Sequence, residues 1–398
     1  MGKSVVSVVK TDRTPDEDGV RAAVRRAVEM AGGLPVKPGQ RVLVKPNLVR
    51  PNSDVRSGMT TSVEVCKAVA DLVREAGAQA IIAESSSVGN DTEAAFAQAG
   101  YLPLREQGYG IIDLKSTPVV RRGIPNGRVF DHLSVFAVAT QVDAVISVPV
   151  MKTHDGLEVT LALKNLKGLI PDKSKRQLHR MGVVQGCLDV ACMVKPVFAV
   201  MDGIYCQEGY GPVHGRPIEM DLVLAGPDLV AVDSVAGHIM GFTLDELEML
   251  KAAEERGMGK ARLSDIEVLG ERIDDVRRRF LRSSEDDQTH ADGLRILCTE
   301  GTCTGCRNAV GSAVFDMKSA GWESYLKDVA IITGPDAVIP DGVDPDKLVA
   351  VGVCVPPGLR GGRYARGCPP SNIWITAAIM GKDYVPSKTE HLDGKLDP

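Results

Sequence analysis

RVLVKPNLVRPNSDVRSGMTTSVEVCKAVADLVREAGAQAIIAESS, residues 41–86, carries one complete strand–loop–helix–strand unit. Residues 41–45 and 80–84 are short β-branched, apolar runs of strand length. Between them Val65, Val69, Leu72 and Val73 recur at helical spacing. Ser62 stands where an N-cap belongs and Gly77 where the helix must stop. Strands joined through a helix lie parallel, so this stretch predicts a βαβ unit.

The same rhythm continues outward. Residues 5–9, 143–150, 197–202 and 220–226 read as strands, and 92–99 and 227–240 as helices. The stretch 271–292 is highly charged, and its second half reads as a linker. Three further strand candidates, 293–298, 328–334 and 348–354, precede a helix after Pro370. The expected fold is α/β, with mostly parallel sheets flanked by helices. Residues 1–285 form the larger region, and 286–398 a smaller C-terminal α/β unit. Reactive groups then belong at the carboxyl ends of strands.

At 398 residues the chain exceeds what one hydrophobic core usually covers. The net charge of −5 disfavours nucleic acid and anionic membrane as partners. No apolar run approaches the roughly 18 residues of a membrane helix. The N-terminal apolar stretch is too short and interrupted for a signal peptide. Nine cysteines, an odd number, argue against a disulfide framework and for metal or redox chemistry in a reducing, cytoplasmic compartment.

Cys303 and Cys306 form a C-x-x-C pair after a predicted strand, Cys354 ends another predicted strand, and Cys368 lies in a GCPP stretch. Four thiolates at one sheet edge suit a cuboidal [4Fe–4S] cluster, one for each iron. A zinc site or a dithiol is the alternative, although zinc ribbons usually carry two close pairs. Cys298 is a candidate fifth thiol or a buried strand-end residue. Arg360, Arg363 and Arg366 could stabilise the cluster's negative charge, meet an anionic partner, or stand in a solvated loop.

LVAVGVCVPPGLRGGRYARGCPPSNIWI, residues 348–375, resembles the segment that binds the proximal cluster in the small subunit of nickel–iron hydrogenases. It is similar also to the 20-kDa subunit of respiratory NADH dehydrogenase. The resemblance covers about a quarter of the chain and implies Cys303, Cys306, Cys354 and Cys368 as the cluster ligands.

In the larger region, polar clusters interrupt the apolar runs where strands should end. Lys45, Asn47, Thr61, Lys152, His154, Lys164, Asn165 and Lys167 fall in them. Lysines at strand ends, with a Ser/Thr helix start, suit an anion such as a carboxylate or phosphate. Lys45, Asn47, Thr61, Lys164 and Asn165 are the expected substrate ligands. His154 is the leading acid–base candidate, followed by Lys152 and Lys167 if burial lowers their pKa. Each lysine taken alone also reads as a surface charge, and His154 as a structural histidine. Asp202, Glu208 and Asp233 could bind a divalent cation or cap helices.

VKPNLV (44–49), the helix 60–78 with the following AESS, KTH (152–154), LKNLKG (163–168), MDGIYCQEGYGP (201–212) and AVDSVAGHIMG (231–241) occur in order. On these the chain resembles the domain of unknown function 362 family over roughly residues 4–245, a resemblance that implies no chemistry. Phosphate-loop, G-x-S-x-G and H-E-x-x-H motifs do not occur.

The leading expectation is a redox enzyme passing electrons from a [4Fe–4S] cluster to an anionic small molecule, with a ferredoxin-type donor. An iron–sulfur lyase or isomerase using the cluster as Lewis acid is the alternative. A third reading is an electron-transfer or assembly partner; a homodimer fits any of the three.

Overall fold

The computed structural model describes residues 2–286, 290–299, 301–302 and 304–382. The chain divides into two units: the chain through Thr153, Val159–Leu178 and Val183–Phe280; and His154–Glu158, His179–Gly182 and the chain from Leu281.

The first unit is built on β1 (Ser4–Lys10), β2 (Arg41–Pro46), β3 (Gln79–Glu84), β4 (Gly110–Asp113), β5 (Val119–Gly123) and β6 (His132–Phe136). It continues with β7 (Ala144–Val148), β8 (Val150–Thr153), β9 (Val159–Thr160), β10 (Phe198–Glu208), β11 (Arg216–Gly226) and β12 (Ile266–Gly270). The main sheet runs β12-β1-β11-β10-β7-β2-β3-β4, with β8 and β9 attached beside β10; β5 and β6 pair separately. From β10 through β7, β2 and β3 to β4 every pairing is parallel. Strand β11 runs antiparallel to both β10 and β1.

The βαβ unit forms as its pattern requires. Ser62 Oγ accepts the Val65 N–H at 3.4 Å, and the helix Val63–Glu75 buries Val65, Cys66, Val69 and Val73. Each such valine stabilises the fold by about 1.5–3 kcal/mol relative to an exposed one. One expectation fails here: β10 does not stop at Asp202 but continues to Glu208, its register shifting between Gly203 and Tyr205. Such a bulge bends a strand without ending it.

The second unit carries β13 (Arg295–Cys298), β14 (Ala330–Thr333), β15 (Leu348–Val351) and β16 (Arg363–Ala365), paired in that order and all parallel. The helices Thr304–Ser319 and Asn372–Met380 contribute Val310, Val314, Met317, Ile375 and Ile379 to a core with Ile331 and Val349. Strand β15 ends at Val351, three residues before Cys354, and Gly352 follows with φ +95°. Among the described residues no helix is long and apolar enough to cross a membrane.

Candidate functional site

Parallel strands present all their carboxyl ends on one edge. In the second unit the cysteines follow those ends. Cys306 lies in the first turn of the helix Thr304–Ser319 and is buried. Any side chain at Gly352 would place its Cβ 2.9 Å from Cys306 Sγ and 3.9 Å from the Gly367 carbonyl. Glycine alone therefore lets this strand end approach the sulfur, and the positive φ suits it too. The Gly352 N–H donates to Ala365 O at 2.9 Å and the Val353 N–H to Gly367 O at 3.0 Å. These bonds tie the turn before Cys354 to the loop before Cys368. Gly305, next to Cys306, faces the Pro369 ring at 3.3 Å from where its Cβ would stand.

Cys306, Cys354 and Cys368 thus stand on adjoining backbone, the last two exposed. Cys303 lies outside the described residues. Among those described, no three of His, Cys, Asp and Glu gather closely enough to hold a metal ion. Cys306, Cys354 and Cys368 are among the residues described, so these three by themselves do not form a metal-holding group.

Two arginines shape the loops around these thiols. Arg307 donates to Thr302 O at 3.1 Å and to Thr299 O at 2.9 Å, fixing the segment that leads to Cys303. Arg360 donates to Val355 O at 2.8 Å and Val353 O at 2.9 Å, bracketing Cys354. Arg363 holds Ile379 O at 2.7 Å, so it serves the fold, and Arg366 is exposed. Burial pushes the Cys298 thiol up, with Arg307 pulling back, which favours a protonated thiol there.

In the first unit the strand ends enclose a buried polar network. Lys45 Nζ donates to Glu84 Oε2 at 2.6 Å, Pro46 O at 2.8 Å and Asn165 Oδ1 at 3.1 Å. An ammonium has three N–H groups, so Lys45 has none left for a substrate. Asn165 returns donors to Lys45 O at 2.9 Å and Ser147 Oγ at 3.1 Å. Gly168 packs over the pair; a Cβ there would stand 2.6 Å from Lys45 Nζ. Thr61 Oγ1 donates to Val148 O at 2.7 Å and accepts the Asn47 N–H at 2.8 Å. Lys45, Thr61 and Asn165 are, in this geometry, the frame of the site.

Lys152 differs. It is 1% exposed and donates to two neutral oxygens, Asn47 Oδ1 and Met59 O, both at 2.6 Å. Among the described residues it has no carboxylate partner within ion-pair distance. Burial lowers its pKa to about 7, Glu84 pulling it back only in part. Lys175, which the sequence reading passed over, is equally buried. It donates to Ser85 O at 2.9 Å, Ser85 Oγ at 2.8 Å and Ser86 O at 2.7 Å, and burial also lowers it to about 7.

The Ser/Thr helix start expected to offer amides to an anion is occupied by one of the chain's own carboxylates, and so is the start of the short helix Ala162–Asn165. Asp202 accepts the Ser62 N–H at 2.8 Å, and burial raises its pKa to about 6. Asp233 accepts Ala162 N at 2.7 Å and Leu163 N at 3.0 Å, and burial raises it to about 7. Both act as caps, the second of the two expected roles. Lys164 is buried and Lys167 half-buried nearby, each with partners of its own.

His154 follows Lys152 by two residues but groups with the second unit. Its Nδ1 accepts the Gly156 N–H at 2.8 Å and the Leu157 N–H at 3.2 Å, so the neutral ring carries its proton on Nε2. Asp155 Oδ1 lies 3.0 Å from the same nitrogen. Ser312 donates to Asp155 at 2.8 Å and Asn308 to Glu158 at 3.3 Å, which anchors this loop on the helix Thr304–Ser319.

A family model described as domain of unknown function (DUF362) matches residues 42–238. The chain is 35% identical over 251 residues to thylakoid-associated protein sll1697 of Synechocystis sp. (strain ATCC 27184 / PCC 6803 / Kazusa), covering 60% of this chain and 75% of the relative. Among solved structures it matches the lactate racemase apoprotein from Thermoanaerobacterium thermosaccharolyticum with a TM-score of 0.35 and 12% identity. That match covers 57% of this chain and 54% of the other, so it spans about half of the solved chain and adds nothing to the reading of the site. By the family model and by its identity across three quarters of the cyanobacterial relative, the chain belongs to the domain of unknown function 362 family.

Proposed function

We propose that this chain is an iron–sulfur redox enzyme. Cys303, Cys306, Cys354 and Cys368 would hold one [4Fe–4S] cluster, and an anionic small molecule bearing a carboxylate or phosphate would accept electrons. The observation that carries the reading is the glycine cradle. Gly352 leaves Cys306 Sγ 2.9 Å from where a Cβ would stand, two residues before Cys354, while the backbone of Gly367 adjoins it next to Cys368. Clusters need soft thiolates brought together from separate loops on a fixed frame, and Arg307 and Arg360 supply such a frame. When bound, the cluster would supply single electrons.

The substrate half rests on Lys152, a buried cation whose hydrogen bonds go to neutral oxygens. Lys152 would attract the anion and exchange a proton near neutrality, with Asn47 beside it, and Lys164 and Lys167 would add positive charge from elsewhere in the same unit. His154, with Nε2 carrying the proton, would act as a donor. A ferredoxin-type protein would deliver the electrons.

The exposed Cys354 and Cys368 favour one second reading, in which a substrate displaces a thiolate and the iron acts as Lewis acid. Replacing each of the four cysteines by alanine, with iron and zinc measured after anaerobic reconstitution, separates these accounts. Loss of iron in every variant supports the redox enzyme. Retention of iron with altered turnover in Cys354→Ala or Cys368→Ala supports the Lewis acid. Stoichiometric zinc without iron overturns both.

A further inference from the structure

Thr333 ends β14 beside the glycine cradle. Its side chain is fully buried, and among the described residues its Oγ1 has no hydrogen-bond partner. Its backbone is engaged as the sequence of contacts requires: Thr302 Oγ1 donates to the Thr333 carbonyl at 2.7 Å. The hydroxyl is left over. A buried O–H without an acceptor is costly and rare, so its persistence calls for an acceptor that the polypeptide itself does not supply.

The same cradle places that hydroxyl oxygen near Cys306. The point where a Cβ at Gly352 would stand lies 2.9 Å from Cys306 Sγ and 3.9 Å from Thr333 Oγ1. The Cys306 sulfur and the unsatisfied Thr333 hydroxyl therefore both border the space that a side chain at position 352 would enter. Neighbouring hydroxyls are otherwise occupied: Thr299 Oγ1 and Thr302 Oγ1 lie 3.3 Å apart and face each other.

We propose that the Thr333 hydroxyl donates a hydrogen bond to a sulfur of the iron–sulfur cluster on its Cys306 side, and so sets the cluster's reduction potential. This rests on the cluster reading above. A hydrogen bond to sulfur stabilises the more negative, reduced cluster, so the donor raises the potential. Thr333 takes no part in ligation, and its removal leaves the thiolate set intact.

The test compares the anaerobically reconstituted full-length protein with Thr333→Val and Thr333→Ser. Iron and sulfide are measured first, then the midpoint potential, then the Fe–S stretching bands in H2O and D2O. The expected result is the same iron content in all three, a lower potential in Thr333→Val, and recovery in Thr333→Ser. The D2O shift of the Fe–S bands should diminish in Thr333→Val. Equal potentials and equal D2O shifts at full iron content overturn this proposal while leaving the cluster in place. Wild-type protein that takes up no iron overturns the cluster reading itself. If Thr333→Val alone fails to hold iron, the D2O shift of the wild type and the Thr333→Ser potential decide, and absence of any D2O shift counts against it.

Discussion

Lys152 and Gln207 are register partners on the paired parallel strands β8 and β10, and together they pin one turn. Lys152 Nζ donates to Met59 O at 2.6 Å, and Gln207 Nε2 donates to Ser57 O at 3.2 Å. Gly58, between the two anchored carbonyls, packs directly on the backbone of Cys206 and Gln207 with φ +65°. The loop after β2 is thereby held by a buried cation.

Lys152→Met should lower stability by roughly 1–3 kcal/mol at alkaline pH, since Met59 O and Asn47 Oδ1 lose their donor. The pH dependence should also change. An unfolded lysine keeps its proton to about pH 10.5, while the folded one releases it near 7. Between these values the unfolded chain binds more protons, so the Lys152 contribution makes stability rise with pH. Urea titrations across that window should show a flatter slope in the variant. An unchanged slope would remove Lys152 as a titrating group.

The Lys45–Glu84 pair is closed on both sides, and breaking it should be expensive. Glu84→Ala leaves a buried ammonium without its counter-ion and should cost about 3–5 kcal/mol. Adding Lys45→Met should restore much of that loss, because the uncompensated charge is gone. A double-mutant cycle with additive effects would show that the pair is not coupled.

Gly352→Ala would set a methyl group 2.9 Å from Cys306 Sγ at a backbone angle of φ +95°. The expected outcome is a loss of iron uptake together with a stability decrease of roughly 1–3 kcal/mol. Full iron content in the variant would mean that this approach of backbone to sulfur is not part of the site.

Arg307→Met removes the donors that fix Thr299 O and Thr302 O while keeping an unbranched apolar stem. Iron should still load, but the cluster should be lost faster under air than in the wild type. Equal decay rates followed by absorbance would assign Arg307 to the fold alone.

Periodicity made the first-unit architecture legible. The valines of the helix Val63–Glu75 repeat on one face, and Ser62 caps it as its position suggests. Strand β10 was misjudged because Asp202 and Gly203 look like a strand end. In the fold Asp202 turns inward to cap Ser62, and the bulge after Gly203 carries the strand on to Glu208, which buries Cys206. Lys175 was missed because DKSKRQLHR reads as a solvated helix face; the three serine oxygens that hold it are remote in sequence. Lys45 and Lys152 look alike in the chain, and a carboxylate from β3 separates their roles. The nearness of Cys306 to the 352 and 367 turns follows from strand order, which no local pattern contains.

The most direct measurement is EPR on anaerobically purified and reconstituted protein, oxidised and reduced, with iron and acid-labile sulfide determined on the same sample. The expected result is about four irons and four sulfides per chain, with a signal appearing on reduction. One tightly bound zinc per chain, no sulfide and no paramagnetic signal in either state would contradict the account.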